Sequence, residues 1–226
     1  MIRERYDSET KLSWVLAALA GLLAATAFTH SEGYFVTFMT GNAGRAVLGV
    51  FTGNQWLSIS AAALLVSFLA GVVTAALCHR RLWPERPHGA LTLTAGALIA
   101  ATLVDWLWEG GPELPLPLLP ILLVAFGVGA LNTTFVRDGE VSIPLSYVTG
   151  TVVKLGQGIE RHINGGTAQD WLGYFLLLAG YMLGAVIGGF ISAVTGGTWM
   201  LAIASVVCVL ATLYTYRYVY RRGLWK

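Results

Sequence analysis

Long stretches of this chain carry no aspartate, glutamate, lysine or arginine. These charge-free stretches are residues 12–31, 46–79 and 171–216, and all three are rich in leucine, alanine, valine and glycine. A helix needs about 20 predominantly apolar residues to cross the hydrocarbon core of a bilayer. Each stretch is long enough to span a membrane, and the last is long enough for about two crossings. The pattern therefore predicts an all-α, polytopic membrane protein.

The overall composition agrees with a membrane domain. Of the 226 residues, 56% are hydrophobic and only 12% are charged, whereas soluble domains carry about 25% charged residues. We expect a single membrane domain over residues 1–226, with the lipid bilayer as its environment. The net charge of +2 is too small to indicate a nucleic-acid partner.

Residue types that carry enzymatic chemistry are sparse and scattered. Cys78 and Cys208 both fall inside apolar segments, where cysteine behaves as a core residue. The four histidines show no zinc-ligand spacing, and the chain contains neither a phosphate-binding Gly-x4-Gly-Lys loop nor a Gly-x-Ser-x-Gly elbow. The sequence thus predicts no catalytic residue, no cofactor and no metal site, and the chain is not expected to be an enzyme.

Apolar patterning predicts six membrane spans and two partial ones. The six spans are residues 12–30, 55–78, 89–108, 115–136, 170–194 and 198–217. Residues 34–52 and 143–162 are too polar and too rich in glycine for full crossings. The first span also resembles a signal peptide, because basic residues precede it and small residues end it. The internal repeat described below requires it as a helix.

The basic residues indicate the orientation in the membrane. Cytoplasmic loops are enriched in lysine and arginine, and the loops at residues 109–113 and 195–197 contain neither. Six spans with both termini in the cytoplasm place every basic cluster on the cytoplasmic side. These clusters are Arg3, Arg5 and Lys11; Arg80, Arg81 and Arg86; and Arg217, Arg221, Arg222 and Lys226.

The two partial segments resemble each other. Residues 37–42 (TFMTGN) align with residues 146–151 (SYVTGT) at an offset of 109 residues, and the same offset aligns Arg45 with Lys154. It also places the first three spans on the last three. We therefore predict two repeats, at about residues 12–108 and 115–217. Three crossings per repeat is an odd number, so the second repeat is expected to be inverted, as in many secondary transporters.

Each repeat contains a Thr-Gly pair that predicts a broken or re-entrant helix. Glycine permits a break, and a threonine hydroxyl can satisfy the freed backbone groups. In lipid, irregular backbone is tolerated only where protein or a water-filled cavity surrounds it. We therefore predict a substrate site where the two breaks meet. Its candidate residues are Thr40, Gly41, Asn42, Arg45, Asn132, Thr149, Gly150, Thr151 and Lys154.

Several of these residues have structural alternatives. Arg45 and Lys154 follow the breaks by about one turn, and positive charge there would favour an anionic ligand. Alternatively, both side chains snorkel to the interface or pair with Glu32 and Asp138. Asn132 can line the site or hydrogen-bond between helices.

A stripe of glycines on the fifth predicted span indicates close helix packing. Gly180, Gly184 and Gly188 recur every four residues. Small residues at this spacing let helix backbones approach each other. The partner helix lies either in the same protomer or across a homodimer.

The motifs around the breaks resemble those of the YoaK family of bacterial membrane proteins, which is classed as a domain of unknown function. The resemblance covers nearly the whole chain. The chain departs from the family pattern at Ala24, where the family has aspartate, and at Leu131, where the family often has glutamine. The resemblance implies a six-helix, multi-pass protein of the bacterial inner membrane. The matching segments are residues 35–42 (FVTFMTGN), 129–132 (GALN), 137–140 (RDGE), 147–151 (YVTGT) and 154–157 (KLGQ).

Three functions remain open on these residues. The first is a transporter of a small molecule or ion, with a central site at the two Thr-Gly breaks. The second is a channel-like pore that uses the same breaks as a filter. The third is a membrane scaffold that transports nothing.

Overall fold

The protein is a bundle of eight α-helices in the computed structural model, which describes residues 8–83, 88–108, 117–137, 140–143 and 145–220. The predictions for Arg3, Arg5, Arg86, Asp138, Gly139, Arg221, Arg222, Lys226 and the loop at 109–113 lie outside these residues. The helices are α1 (Ser8–Thr29), α2 (Met39–Phe51), α3 (Gln55–Arg81), α4 (His88–Trp108), α5 (Leu118–Leu131), α6 (Val148–Ile163), α7 (Gln169–Ser192) and α8 (Gly197–Tyr214).

Five of these helices are long and apolar enough to cross a bilayer. They are α1, α3, α4, α7 and α8, and they match five of the six predicted spans. The outward faces of α3 and α7 expose large apolar side chains, as expected for surfaces in contact with lipid. Examples are Val66, Leu69, Val73 and Leu77 on α3, and Met182, Leu183, Val186 and Phe190 on α7.

The predicted fourth span, residues 115–136, was wrong at its C-terminal end. Helix α5 ends at Leu131 and has 14 described residues. The Thr133 hydroxyl donates to the Ala130 carbonyl and the Thr134 hydroxyl to the Leu131 carbonyl. The amides of Thr133 and Thr134 also donate to these two carbonyls, three residues back instead of four, so the α-helical hydrogen-bond pattern ends here. A short antiparallel pair follows, β1 (Val136–Arg137) and β2 (Glu140–Val141), which was not predicted.

The two partial segments form short helices after stretches of non-helical backbone. Helix α2 has 13 residues and α6 has 16, and neither is among the candidate spans of the described chain. Each begins one residue before the threonine of its Thr-Gly pair, at Met39 and Val148. The backbone is therefore non-helical between α1 and α2 and again between α5 and α6.

Helices α1 and α5 lie at the centre of the bundle. Helix α1 packs on α7 and α8, whereas α5 packs on α3 and α4. The short helix α2 lies against α3, α6 lies against α7, and α4 contacts α8. Helices from the first half of the chain are thus paired mainly with helices from the second half.

The glycine stripe on α7 packs against α1 within the same protomer. A Cβ atom placed on Gly184 would lie 1.9 Å from the Ala18 carbonyl oxygen, and one on Gly180 would lie 2.8 Å from that of Trp14. Helices α3 and α5 approach each other in the same way, because a Cβ atom on Gly71 would lie 2.0 Å from the Phe126 carbonyl oxygen. Glycine is required at these positions because the neighbouring backbone occupies the space of a side chain.

Candidate functional site

Both short helices begin at one cavity. The cavity has a volume of ≈ 640 Å³, within the range of about 300–1,000 Å³ that is typical of small-molecule sites. It is lined from the first half by Thr37, Phe38, Met39, Thr40, Phe68 and Val72, and from the second half by Asn132, Val141, Ser146, Tyr147, Val148, Thr149 and Tyr181.

The lining residues of the two halves correspond to each other. Residues 37, 38, 39 and 40 line the cavity together with residues 146, 147, 148 and 149, each pair being separated by 109 positions. Val72 on α3 and Tyr181 on α7 form a fifth pair with the same separation. Most of the residues that line the cavity therefore belong to pairs of equivalent residues, one from each repeat.

The first turns of α2 and α6 have no side-chain caps. Phe38 and Tyr147 are the N-cap residues, and neither makes a side-chain capping hydrogen bond. The first intrahelical bonds run from the amides of Asn42 and Thr151 to the carbonyls of these two residues. The positive ends of two helix dipoles thus adjoin the cavity, an environment that favours acceptor groups and anions.

Asn132 connects the end of α5 to the segment that enters α6. Its amide nitrogen donates to the Val128 carbonyl and to the Ser146 hydroxyl, both at 2.8 Å. Its side-chain oxygen accepts the backbone N–H of Ser146 at 3.0 Å. Because Asn132 and Ser146 are both buried, the three bonds hold one wall of the cavity in place.

The segment before α2 is held by Asn42 and Arg45. The Asn42 amide donates to the Phe35 carbonyl at 2.7 Å, and the Arg45 guanidinium donates to the Gly33 carbonyl at 2.6 Å. The guanidinium also lies 4.2 Å from the centre of the Phe35 ring. Asn42 is fully buried. Together these contacts attach the first turns of α2 to the preceding loop.

Glu32 interacts with aromatic residues. It accepts the Tyr34 hydroxyl at 2.9 Å and the Trp56 indole N–H at 3.3 Å. Burial, and after it the hydrogen bond to Glu32, raises the pKa of Tyr34 above its usual value. Glu32 thus ties the loop to the start of α3, whereas Arg45 contacts the Gly33 carbonyl and the Phe35 ring.

The structure brings only some of the predicted site residues together. Thr40, Thr149 and Asn132 line the cavity. Gly41 packs against the ring of Phe38 and Gly150 against the ring of Tyr147, and both rings line the cavity. Asn42 and Thr151 are buried one position further along each helix.

The two predicted cations, Arg45 and Lys154, are not among the residues that line the cavity. Arg45 contacts the Gly33 carbonyl and the Phe35 ring, as described above. The Lys154 ammonium lies 5.8 Å from the centre of the Tyr174 ring. These two charges would therefore act on a ligand in the cavity through long-range electrostatics and not through direct contact.

Sequence reasoning missed the aromatic part of the site. Phe38, Tyr147 and Tyr181 line the cavity, and the Tyr181 hydroxyl lies 2.9 Å from that of Thr37. The signal for the first two was visible, because an aromatic residue stands three positions before the glycine in both repeats. Within the described residues, no group of three or more histidine, cysteine, aspartate or glutamate side chains could hold a metal ion.

Comparison with known proteins places the chain in a family. The profile of the family described as "Protein of unknown function (DUF1275)" matches residues 12–214. The chain belongs to this family. It is also similar to the UPF0700 transmembrane protein RA0705 of Rhizobium meliloti (strain 1021), with 28% identity over 211 residues, which cover 92% of this chain and 88% of the relative. No solved structure matches. Together with the five apolar helices, the match identifies a multi-pass integral membrane protein.

Proposed function

We propose that this protein transports a small molecule across the membrane and binds it in the cavity between α2 and α6. The observation that carries the proposal is the pairwise correspondence of the cavity lining. A site built from equivalent residues of two repeats can be exposed to either side of the membrane by equivalent motions. Such a site near the midplane, with helix ends pointing into it, is characteristic of secondary transporters.

Helix packing supports a two-fold repeat, which three crossings per half would make inverted. At the offset of 109 residues, α1 corresponds to α5, α2 to α6, α3 to α7 and α4 to α8. The contact of α1 with α7 then corresponds to that of α5 with α3, and the contact of α2 with α3 to that of α6 with α7. We infer two inverted repeats with six crossings, α5 being the shortest, and the charge bias favours both termini in the cytoplasm of a bacterial cell.

The chemistry of the cavity favours a small ligand with acceptor groups. Hydroxyls of Thr37, Thr40, Ser146 and Thr149 and two uncapped helix ends supply donors, and aromatic and aliphatic side chains supply the rest of the wall. Among the described residues that line the cavity there is no aspartate, glutamate, lysine or arginine. Two helix ends together contribute about one positive charge. A small monovalent anion therefore fits the cavity better than a cation does.

A ligand screen tests the proposal. The purified protein is heated with panels of metabolites and inorganic anions, and binding at about 100 times the dissociation constant should add about 2.7 kcal/mol to the stability of the folded state. Each compound that stabilises the protein is then tested for uptake into proteoliposomes. Saturable uptake supports a transporter, flux that does not saturate indicates a channel, and binding without flux or no binding at all indicates a scaffold.

Threonine variants connect the result to the cavity. The double variant Thr40→Val, Thr149→Val removes two lining hydroxyls with little change of shape, and it should abolish the stabilisation by the ligand. Thr52→Val is the matched control, because Thr52 lies at the exposed C-terminal end of α2 and bonds its own helix. Equal stabilisation of the double variant and the control would refute this location of the site.

A further inference from the structure

We propose that Phe38 and Tyr147 are a pair of gates that control access to the cavity from opposite sides of the membrane. The proposal rests on the proposed function in two respects: a gate serves transport, and opposite sides follow from the inverted repeat inferred above. The evidence that both residues guard the cavity comes from their own conformation and packing.

The two aromatic residues occupy the same place in the two repeats. Each is the N-cap of a short helix, and their backbone angles are similar, with φ −104° and ψ 72° for Phe38 and φ −85° and ψ 70° for Tyr147. At Tyr147 the angles form an inverse γ-turn, closed by a hydrogen bond from the Val148 amide to the Ser146 carbonyl at 3.0 Å. Both residues line the cavity, yet Phe38 is 46% exposed and Tyr147 is 58% exposed. They therefore stand at its rim.

Each aromatic ring lies against the glycine of the Thr-Gly pair. A Cβ atom on Gly41 would lie 2.2 Å from Cδ1 of Phe38, and one on Gly150 would lie 2.1 Å from Cε1 of Tyr147. Any side chain at either glycine would force the ring to another position. The glycines thus leave room for a ring that folds back over the helix end, which is a second role for the Thr-Gly motif beside the helix break.

The ring of Phe38 is also braced from the side of the loop. It meets the Phe35 ring edge to face, with the ring centres 5.3 Å apart. Phe35 in turn stacks on Phe28 at 5.4 Å and lies beneath the Arg45 guanidinium. The position of the first gate is thereby coupled to Arg45, a charged residue that does not itself line the cavity.

Accessibility of a single cysteine tests the gates without knowledge of the ligand. Cys78→Ser and Cys208→Ala remove the native thiols, and Val72→Cys places a reporter on the cavity wall. The anionic reagent methanethiosulfonate ethylsulfonate is added to right-side-out and to inside-out membrane vesicles. Unreacted thiols are then counted with a fluorescent maleimide after denaturation.

Gate variants should change the rate of modification from one side each. Phe38→Leu should raise the rate about tenfold from one side, and Tyr147→Leu should raise it about tenfold from the other. Gly41→Ala and Gly150→Ala displace the same rings and should act on the same sides as the corresponding leucine variants. Gly44→Ala and Gly156→Ala are the matched controls on α2 and α6, because an added Cβ atom there meets no atom within 4 Å.

The outcomes separate this proposal from the proposed function. Unchanged rates in both leucine variants, or increases from the same side in both, overturn the gates whether or not the glycine variants fold. If rates change from opposite sides and the ligand screen finds no binding, the gates stand and the transport proposal fails. If a ligand is transported and the rates do not change, only the gates fail.

Discussion

The crossing of α1 and α7 should be highly sensitive to one methyl group. In Gly184→Ala, the new Cβ atom would lie 1.9 Å from the Ala18 carbonyl oxygen, whereas ordinary contacts begin at 3.4 Å. The two helices would have to separate by the difference, about 1.5 Å, because the obstructing atom belongs to the backbone. Such overpacking costs about 1–3 kcal/mol, and we expect the upper end of that range.

Gly189→Ala on the same helix is the matched control. An added Cβ atom at Gly189 meets no atom within 4 Å. Both substitutions gain the same helix propensity, about 0.5–1 kcal/mol, so the difference between the variants isolates the clash. A difference of about 3 kcal/mol corresponds to roughly 6–12 °C in the unfolding midpoint for a chain of this size.

The assay can use the protein's own thiol. Cys208 is fully buried in α8, so a thiol-reactive dye reports unfolding once Cys78 has been replaced by serine. We expect Gly184→Ala to unfold well below the wild type and Gly189→Ala to unfold at or above it. Equal midpoints for the two variants would refute the packing of the glycine stripe within the protomer and would favour its use between protomers.

Three further predictions concern the site and the topology. Asn132→Ala should destabilise the protein by about 1–3 kcal/mol, because it strips the acceptor from a buried amide; a double-mutant cycle with Ser146→Ala should show non-additivity in chemical unfolding. Arg45→Gln and Lys154→Gln should each weaken binding of an anionic ligand by about fivefold, or about 1 kcal/mol, in the ligand-stabilisation assay, and unchanged affinity in both would show that the charges serve only structure. A green fluorescent protein fused after Lys226 should be fluorescent and alkaline phosphatase fused there inactive, since the C-terminus is expected in the cytoplasm.

The membrane spans were predictable because their signal is additive along the chain. About twenty predominantly apolar residues with little charge have few alternatives to a membrane helix, and α1, α3, α4, α7 and α8 all followed from apolar patterning. The end of α5 did not follow, because residues 132–136 carry no charge that would mark a boundary, whereas their turn involves local hydrogen bonds, among them those between Asn132 and Ser146. Composition over a long window cannot resolve a competition between individual hydrogen bonds.

The cavity was predictable only in outline. The repeat pointed to Thr40 and Thr149, and both line it. Tyr181 and Val72 were missed because they lie on regular helices, where their types are ordinary and only tertiary packing directs them to the site. The attachments of Arg45 to a loop carbonyl and a phenylalanine ring depend on how that loop folds, which the charge pattern does not record.

The pairing of α1 with α7 has a consequence for the synthesis of the protein. Between the end of α1 at Thr29 and the start of α7 at Gln169, the ribosome adds about 140 residues. At about 5–20 residues per second, α1 waits roughly 7–28 s for its main partner. During that interval the Ala18 face of α1 is open to lipid or to a neighbouring chain. Membrane insertases and chaperones that shield nascent helices should therefore matter more for this protein than for one whose successive helices pair with each other.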